Sequence, residues 1–282
     1  MPPPDDRRPP PADVPASGSW DSYFYPPPDS GTLRNLFDER DREVLARLEY
    51  VETVERQREL LAGEVAIART YDGDHLRAIH HHLFQDVYPW AGQYRTVNIS
   101  KGHGGNFADI TTGEIDRYLS DVHLFVVSAD WDNLDREEFA RRAAVVFAYL
   151  NQAHPFREGN GRTAKVFMDH VAEQSHFEFD YARVSPEVWN QRSMLSGPDA
   201  YDYSPHPQWL TPVFVQITMR RQVPPATGID ETRAQRIAPP AESTPYRSLD
   251  YPHTSSGSEA TSHSSQRVRR APDQDRGHGP EL

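Results

Sequence analysis

The chain has 282 residues, enough for one large domain or two small ones, and its formal net charge of −12 argues against a protein whose main task is gripping nucleic acid, although it leaves room for a local basic patch. It has no cysteine, which excludes disulfides, thiolate metal sites and a catalytic thiol. No apolar run reaches transmembrane length, and the N-terminus has no apolar core of a secretory signal, so a soluble cytoplasmic protein without membrane partners is expected.

Residues 1 to about 30 are rich in proline and polar side chains and read as extended, although the aromatic "WDSYFYPPP" (Trp20 to Pro28) can dock on a core. The folded unit is placed at 20–222, with 1–19 disordered. Arg40 to Leu61 reads as a long charged helix with Val44, Leu45, Leu48 and Val51 on one stripe. A second runs from Asp74 to Phe84 on Leu76, Ile79 and Leu83. Its histidines His75, His80, His81 and His82 lack a metal-binding i, i+4 pair, and a surface or capping role is expected. "YRTVNIS" (Tyr94 to Ser100) alternates, and "GHGG" (Gly102 to Gly105) follows, which predicts a small β-hairpin. It is the one segment that prefers strand. Helices follow at Thr112–Val127, Asp135–Ala153, Gly161–Gln174, Pro186–Leu195 and Gln208–Arg221. The fold class is all-α, a helical bundle with a small β-hairpin. Residues 223–282 hold few aliphatics and read as a disordered polar tail, and the basic "QRVRR" (Gln266 to Arg270) as part of its solvated surface.

The chemistry concentrates in "NQAHPFREGNGRTAKVF" (Asn151 to Phe167). Pro155 biases His154 away from helical dihedrals and should end the preceding helix there. "EGNG" then feeds the next helix N-terminus, where small residues and the helix dipole suit an anion. Arg162, a cation in a first turn, is disfavoured there unless an anion sits beside it. Glu158 would repel phosphate on its own, and a bridging Mg²⁺ resolves the conflict. His154 can take a proton from an attacking hydroxyl at neutral pH. Together these describe phosphoryl or nucleotidyl transfer. The plain alternative stays open: Pro–Gly loops between helices are common, and a histidine before proline is more often structural. The spacing of a P-loop is absent.

"HPFREGNGR" (His154 to Arg162) fits the signature H-P-F-x-[D/E]-G-N-G-R of the Fic (Fic/Doc) family position for position. "YFYPPPDSGTLRN", "LFQDVYPWAGQYRTVNISKGHGGNF" and "VSPEVWNQRSMLSGPDAYDY" resemble that family's N-terminal segment, its hairpin flap and the helix closing its nucleotide pocket. The resemblance covers about 22–220. It implies a Fic fold and transfer of AMP from ATP, with Mg²⁺, to a Ser, Thr or Tyr hydroxyl of a target protein. It implies that His154 is the general base, Phe156 the anchor of the loop and Glu158 the metal carboxylate. Gly159, Asn160 and Gly161 would form the anion nest, with the Asn160 side chain near the α-phosphate, and Arg162 would reach the β- or γ-phosphate. Lys101, Trp189 and Ser196 are placed at the nucleotide, though a core or cap role explains Trp189 and Ser196 equally well. The flap, 96–107, would hold the target by strand pairing. Gly161, where the Doc kinases carry a basic residue, implies AMP transfer over phosphate transfer. The family's inhibitory [S/T]-x-x-x-E-[G/N] helix has no counterpart here, since Glu before Gly or Asn occurs only at Glu158–Gly159. The resemblance therefore implies a toxin-like member, controlled by a small antitoxin that supplies the glutamate in trans. An AMP-removing hydrolase and a binding module on the same fold are the competing readings.

Overall fold

The computed structural model describes residues 19–100 and 106–222. The expectations for 1–18, for Lys101 and the Gly102–Gly105 turn, and for 223–282 lie outside the described residues. Among those described, the fold is mostly helical, with one two-stranded sheet. No described helix is long and apolar enough to cross a membrane.

The chain enters through a short turn of 3-10 helix, Trp20–Tyr23, started by the Ser19 hydroxyl. Tyr23 is buried, and its hydroxyl accepts the Thr96 N–H at 3.0 Å, so this aromatic segment does dock on the core. Helix α1 (Arg42–Ala62) begins where the Asp41 carboxylate accepts the N–H groups of Glu43 and Val44. It ends on Gly63 in the left-handed conformation, which glycine adopts without strain. The expected apolar stripe holds at Leu45, which is buried, and fails at Val51, which is 62% exposed. The inner face follows Leu45, Glu49 and Thr53 at i, i+4, i+8, and two of those three are polar because they meet a partly buried cation, Arg162, of another helix.

Helix α2 (Gly73–Phe84) packs between α1 and α5 (Asn160–Ala172). Here the expected surface histidines are corrected. His75, His80 and His82 are buried, and His75 and His80 extend the stripe of Leu76, Ile79 and Leu83 by helical spacing. Each ring keeps a hydrogen bond, which is what makes its burial affordable: His75 to His170, His80 to Gly92 and Glu158, His82 to the Arg56 carbonyl.

Helix α3 (Glu114–Val127) lies along the central α4 (Arg136–Ala153), and α4 also carries α5 and the C-terminal α7 (Thr211–Ile217). Asp135 caps α4 by accepting the Glu138 N–H at 2.8 Å. Ala140, Ala143, Ala144 and Ala148 are fully buried, and such small side chains let neighbouring helices approach closely.

Two strand expectations are corrected. Tyr94–Ser100 forms no regular strand: its Arg95 N–H bonds to the Pro155 carbonyl, and among the described residues the arms of the flap pair through one isolated bridge, Ser100–Asn106, beside which the Phe107 N–H bonds to the Ile99 carbonyl at 3.2 Å. The true sheet pairs β1 (Phe177–Phe179) antiparallel with β2 (Thr218–Arg220), Glu178 opposite Met219. The helix expected over Gln208–Arg221 is therefore broken. A 3-10 turn, Pro207–Trp209, leads to α7 (Thr211–Ile217), which stops where the Thr218 hydroxyl takes the Phe214 carbonyl. The short α6 (Pro186–Leu195) starts on a Ser185 cap and a proline.

Candidate active site

One cleft gathers the motif. Its lining includes His154 to Glu158, Asn160, Gly161, Thr163, and Trp189, Asn190 and Ser193 from α6. The Asn151 amide donates to the Ser193 carbonyl at 3.0 Å and holds α6 against the end of α4.

Helix α4 stops at Ala153, as Pro155 requires, and His154 takes a left-handed backbone with φ +39°. Its ring stacks on Phe107 of the flap at 3.7 Å between centroids. The base candidate thus stands where the flap meets the cleft. The Glu158 carboxyl is 18% exposed and accepts the Gly159 N–H at 3.0 Å. Burial pushes it above the usual carboxylate range; the negative charge of Glu49 adds to this, and Arg162 opposes it.

The loop is built around two details. Asn160 closes it as a local ring: its Oδ1 accepts the Phe156 N–H at 2.9 Å, and its Nδ2 donates to the Phe156 carbonyl at 2.8 Å. Its amide is thus committed to the backbone, where the resemblance had set it beside the α-phosphate. Gly159 has φ +80°, and a Cβ there would lie 2.2 Å from the Phe84 ring. Past it, no side chain caps α5, so the N–H groups of its first turn face the cleft end of the helix with the positive pole of the dipole. Gly161 is exposed, and a Cβ there would meet nothing within 4 Å.

Arg162 lies beside the cleft, its guanidinium 3.9 Å from the Glu158 carboxylate. It is not among the cleft-lining residues. Its guanidinium pairs with Glu49 of α1, donates to the Thr53 hydroxyl at 3.2 Å and lies over the Phe84 ring at 4.7 Å. Glu49 also accepts the Tyr88 hydroxyl. The anion that makes a cation tolerable in this first turn is a carboxylate of the same chain. Ser196 is also outside the cleft: it is buried at the C-cap of α6, and its hydroxyl donates to the Ser193 carbonyl at 2.8 Å. Trp189 is buried and lines the cleft. Phe156 is fully buried and stacks on His80 at 3.9 Å. Lys101 lies outside the described residues.

Several site residues carried no local signal. His80 takes the Gly92 N–H on Nδ1 at 2.8 Å, so its Nε2 bears the proton and donates to the Glu158 carbonyl at 3.1 Å. Burial pushes this imidazole down to about 3, and it props the loop as a neutral ring. Thr163 Oγ1, Asn190 Oδ1 and Ser193 Oγ are buried in the cleft wall without a hydrogen-bond partner. Buried polar atoms are rarely left so, and three along one cleft mark a wall built for a polar ligand.

Comparison with known proteins fits this geometry. The sequence model of the Fic/DOC family matches residues 70–172. The chain is 35% identical over 173 residues to the protein adenylyltransferase VbhT of Bartonella schoenbuchensis, covering 61% of this chain and 35% of that protein. It thus spans about a third of that relative's length. It is 36% identical over 166 residues to the probable protein adenylyltransferase y4lH of Sinorhizobium fredii, covering 57% of this chain and 80% of that protein. Among solved structures, the N-terminal Fic domain of a VirB-translocated Bep effector from Bartonella quintana, with bound ADP, superposes with a TM-score of 0.58 at 26% identity. The match covers 71% of this chain and 95% of that one.

Proposed function

The chain belongs to the Fic/DOC family, and from that premise we propose that it is a protein adenylyltransferase that moves AMP from ATP to a hydroxyl of a target protein. The observation that carries this reading is the meeting, on one cleft, of the His154 ring, the uncapped N-terminus of α5 and three partnerless buried polar atoms. Relatives named adenylyltransferases and a neighbouring structure with bound ADP support it.

In this reading the target Ser, Thr or Tyr hydroxyl passes its proton to His154. Its oxygen bonds to the α-phosphorus, the bond to the bridging oxygen breaks, and pyrophosphate leaves. The N–H groups at the start of α5 receive the phosphates. Thr163, Asn190 and Ser193 supply polar contacts to the nucleotide, and Trp189 an apolar wall. Glu158 is the carboxylate that would hold Mg²⁺. The fit is chemical: a carboxyl pushed up by burial beside another acid gains from a divalent cation, and phosphate oxygens supply further donors. Mg²⁺ would neutralise phosphate charge there. Among the described residues no cluster of three or more His, Asp or Glu could hold a metal unaided.

The flap is the proposed docking edge for an extended target segment, laid beside Phe107 and His154. Control by an antitoxin glutamate supplied in trans is proposed from the lack of an inhibitory motif in this sequence. Purified protein stripped of co-purifying chains should then transfer AMP faster; no gain on stripping ends that idea. The main test uses α-labelled and γ-labelled ATP with lysate proteins as acceptors. Label from the α position alone is expected, and it should vanish in His154→Ala. Label from γ alone would make the protein a kinase, and a fully active His154→Ala would remove the base.

A further inference from the structure

Arg95 is 3% exposed, and it lies outside the cleft lining. Its Nε donates to the His154 carbonyl at 2.8 Å, and its own N–H to the Pro155 carbonyl at 2.8 Å. One terminal nitrogen donates to the Val97 carbonyl at 2.7 Å, and the other to the Ala108 carbonyl. Val97 lies on the first arm of the flap and Ala108 directly follows the second. One planar guanidinium therefore ties both arms to the residue that carries the base. A lysine, with a single nitrogen, cannot span these directions.

The same junction is stitched a second time. The Ala108 N–H bonds to the Gln152 carbonyl at 3.0 Å, and the Gln152 amide donates to the Asn106 carbonyl at 2.9 Å. His154 holds a left-handed backbone, φ +39°, which is unfavourable for a residue with a Cβ. Its carbonyl direction, and through it the ring, depends on partners that hold that conformation. We propose that Arg95 is a positioning residue: it couples the seating of a target on the flap to the alignment of His154, so that the base is set by the flap rather than by the nucleotide.

This inference rests on the proposed AMP transfer, and its test separates the two. Arg95→Lys and Arg95→Met are compared with wild type for melting, for binding of ATP by calorimetry, and for transfer from α-labelled ATP to lysate proteins. Arg95→Lys is expected to bind ATP with unchanged affinity and unchanged KM for ATP. Its kcat should fall at least about tenfold, the scale of loss a small misplacement of a reacting group produces. Arg95→Met should fall further. Hydrogen exchange supplies a readout apart from activity. In Arg95→Lys the amides of Phe107 and Ala108 and that of Phe156 should exchange faster together, while those of α3 and α7 keep wild-type rates. Unchanged kcat in a folded variant overturns the proposal. So does a loss of ATP affinity as large as the loss of kcat, or a flap that loosens while Phe156 stays protected. If both variants melt far below wild type, Arg95 serves the fold and the positioning role is withdrawn. A wild type that moves no label defeats the functional reading instead, and the exchange data still decide whether flap and loop move as one.

Discussion

Gly159 is held to glycine from two directions: its φ of +80° and the Phe84 ring that would lie 2.2 Å from a Cβ. Strain of roughly 1–2 kcal/mol and overpacking of roughly 1–3 kcal/mol add, so Gly159→Ala should lose about 3 kcal/mol in urea unfolding. A loss below ~0.5 kcal/mol would show that the loop relaxes around the methyl. Gly161→Ala should behave oppositely. The site is open, and the helix gains up to about 1 kcal/mol from alanine, so stability should hold or rise. Transfer activity should still fall, because the methyl stands where phosphate is received; full activity would move the anion site elsewhere. At this scale the motif made the loop legible, since its residues are neighbours in sequence. Arg162 is the instructive exception. Its misplaced charge was a true signal of an anion, and one anion beside it, Glu49, comes from a helix 113 residues away, which no local window reveals. The orphaned oxygens of Thr163, Asn190 and Ser193 were invisible for the same reason, since being without a partner is a property of the packed wall.

Between elements, the Glu49–Arg162 pair is the bolt from α1 to α5. Glu49 is 13% exposed and Arg162 33%, so losing one partner strands a desolvated charge. Glu49→Gln should destabilise by about 1–2 kcal/mol, and a double-mutant cycle with Arg162→Met should give a coupling of about 1 kcal/mol or more, read from four urea curves. Additive losses would mean that the two charges stand in water's screening. Helix positions were well read from sequence because their caps are local: Asp41, Asp135 and Ser185 each hold the first turn they announce. The α1 face was misread because its buried side is polar, and counting apolar residues favours Val51. Strands β1 and β2 were missed because three residues give almost no alternation to detect, and their partners lie about forty residues apart.

Across the whole molecule, buried neutral histidines set a limit on acid stability. The Tyr71 N–H donates to His75 Nδ1, so His75 Nε2 carries the proton and donates to His170 Nδ1 at 2.9 Å in a stacked pair. Burial, and then the Arg69 charge, push His75 down to about 4 and His170 down to about 2; His80 lies at about 3. Unfolded histidine takes a proton near ~6.5. The unfolded chain therefore binds more protons between that value and the folded ones, and stability must fall as pH drops through the window. Each imidazole contributes up to about 1.4 kcal/mol per pH unit. Urea midpoints from pH 7.5 to 4.5 should drop steeply below about 6.5; a flat profile would mean these rings charge in place. The run of histidines was plain in the sequence, but its meaning lay in pairing across α2 and α5. A different limit follows from where the core closes. Phe214 and Ile217 of α7 are fully buried, β2 is the partner of β1 among the described residues, and Arg221 donates to the Ala172 and Phe177 carbonyls. A nascent chain cannot complete this core until residue 221 has left the ribosome. The cleft residues are all made earlier, yet Phe147 and Trp189 of their wall pack on Phe214, so that wall lacks its backing until α7 has emerged.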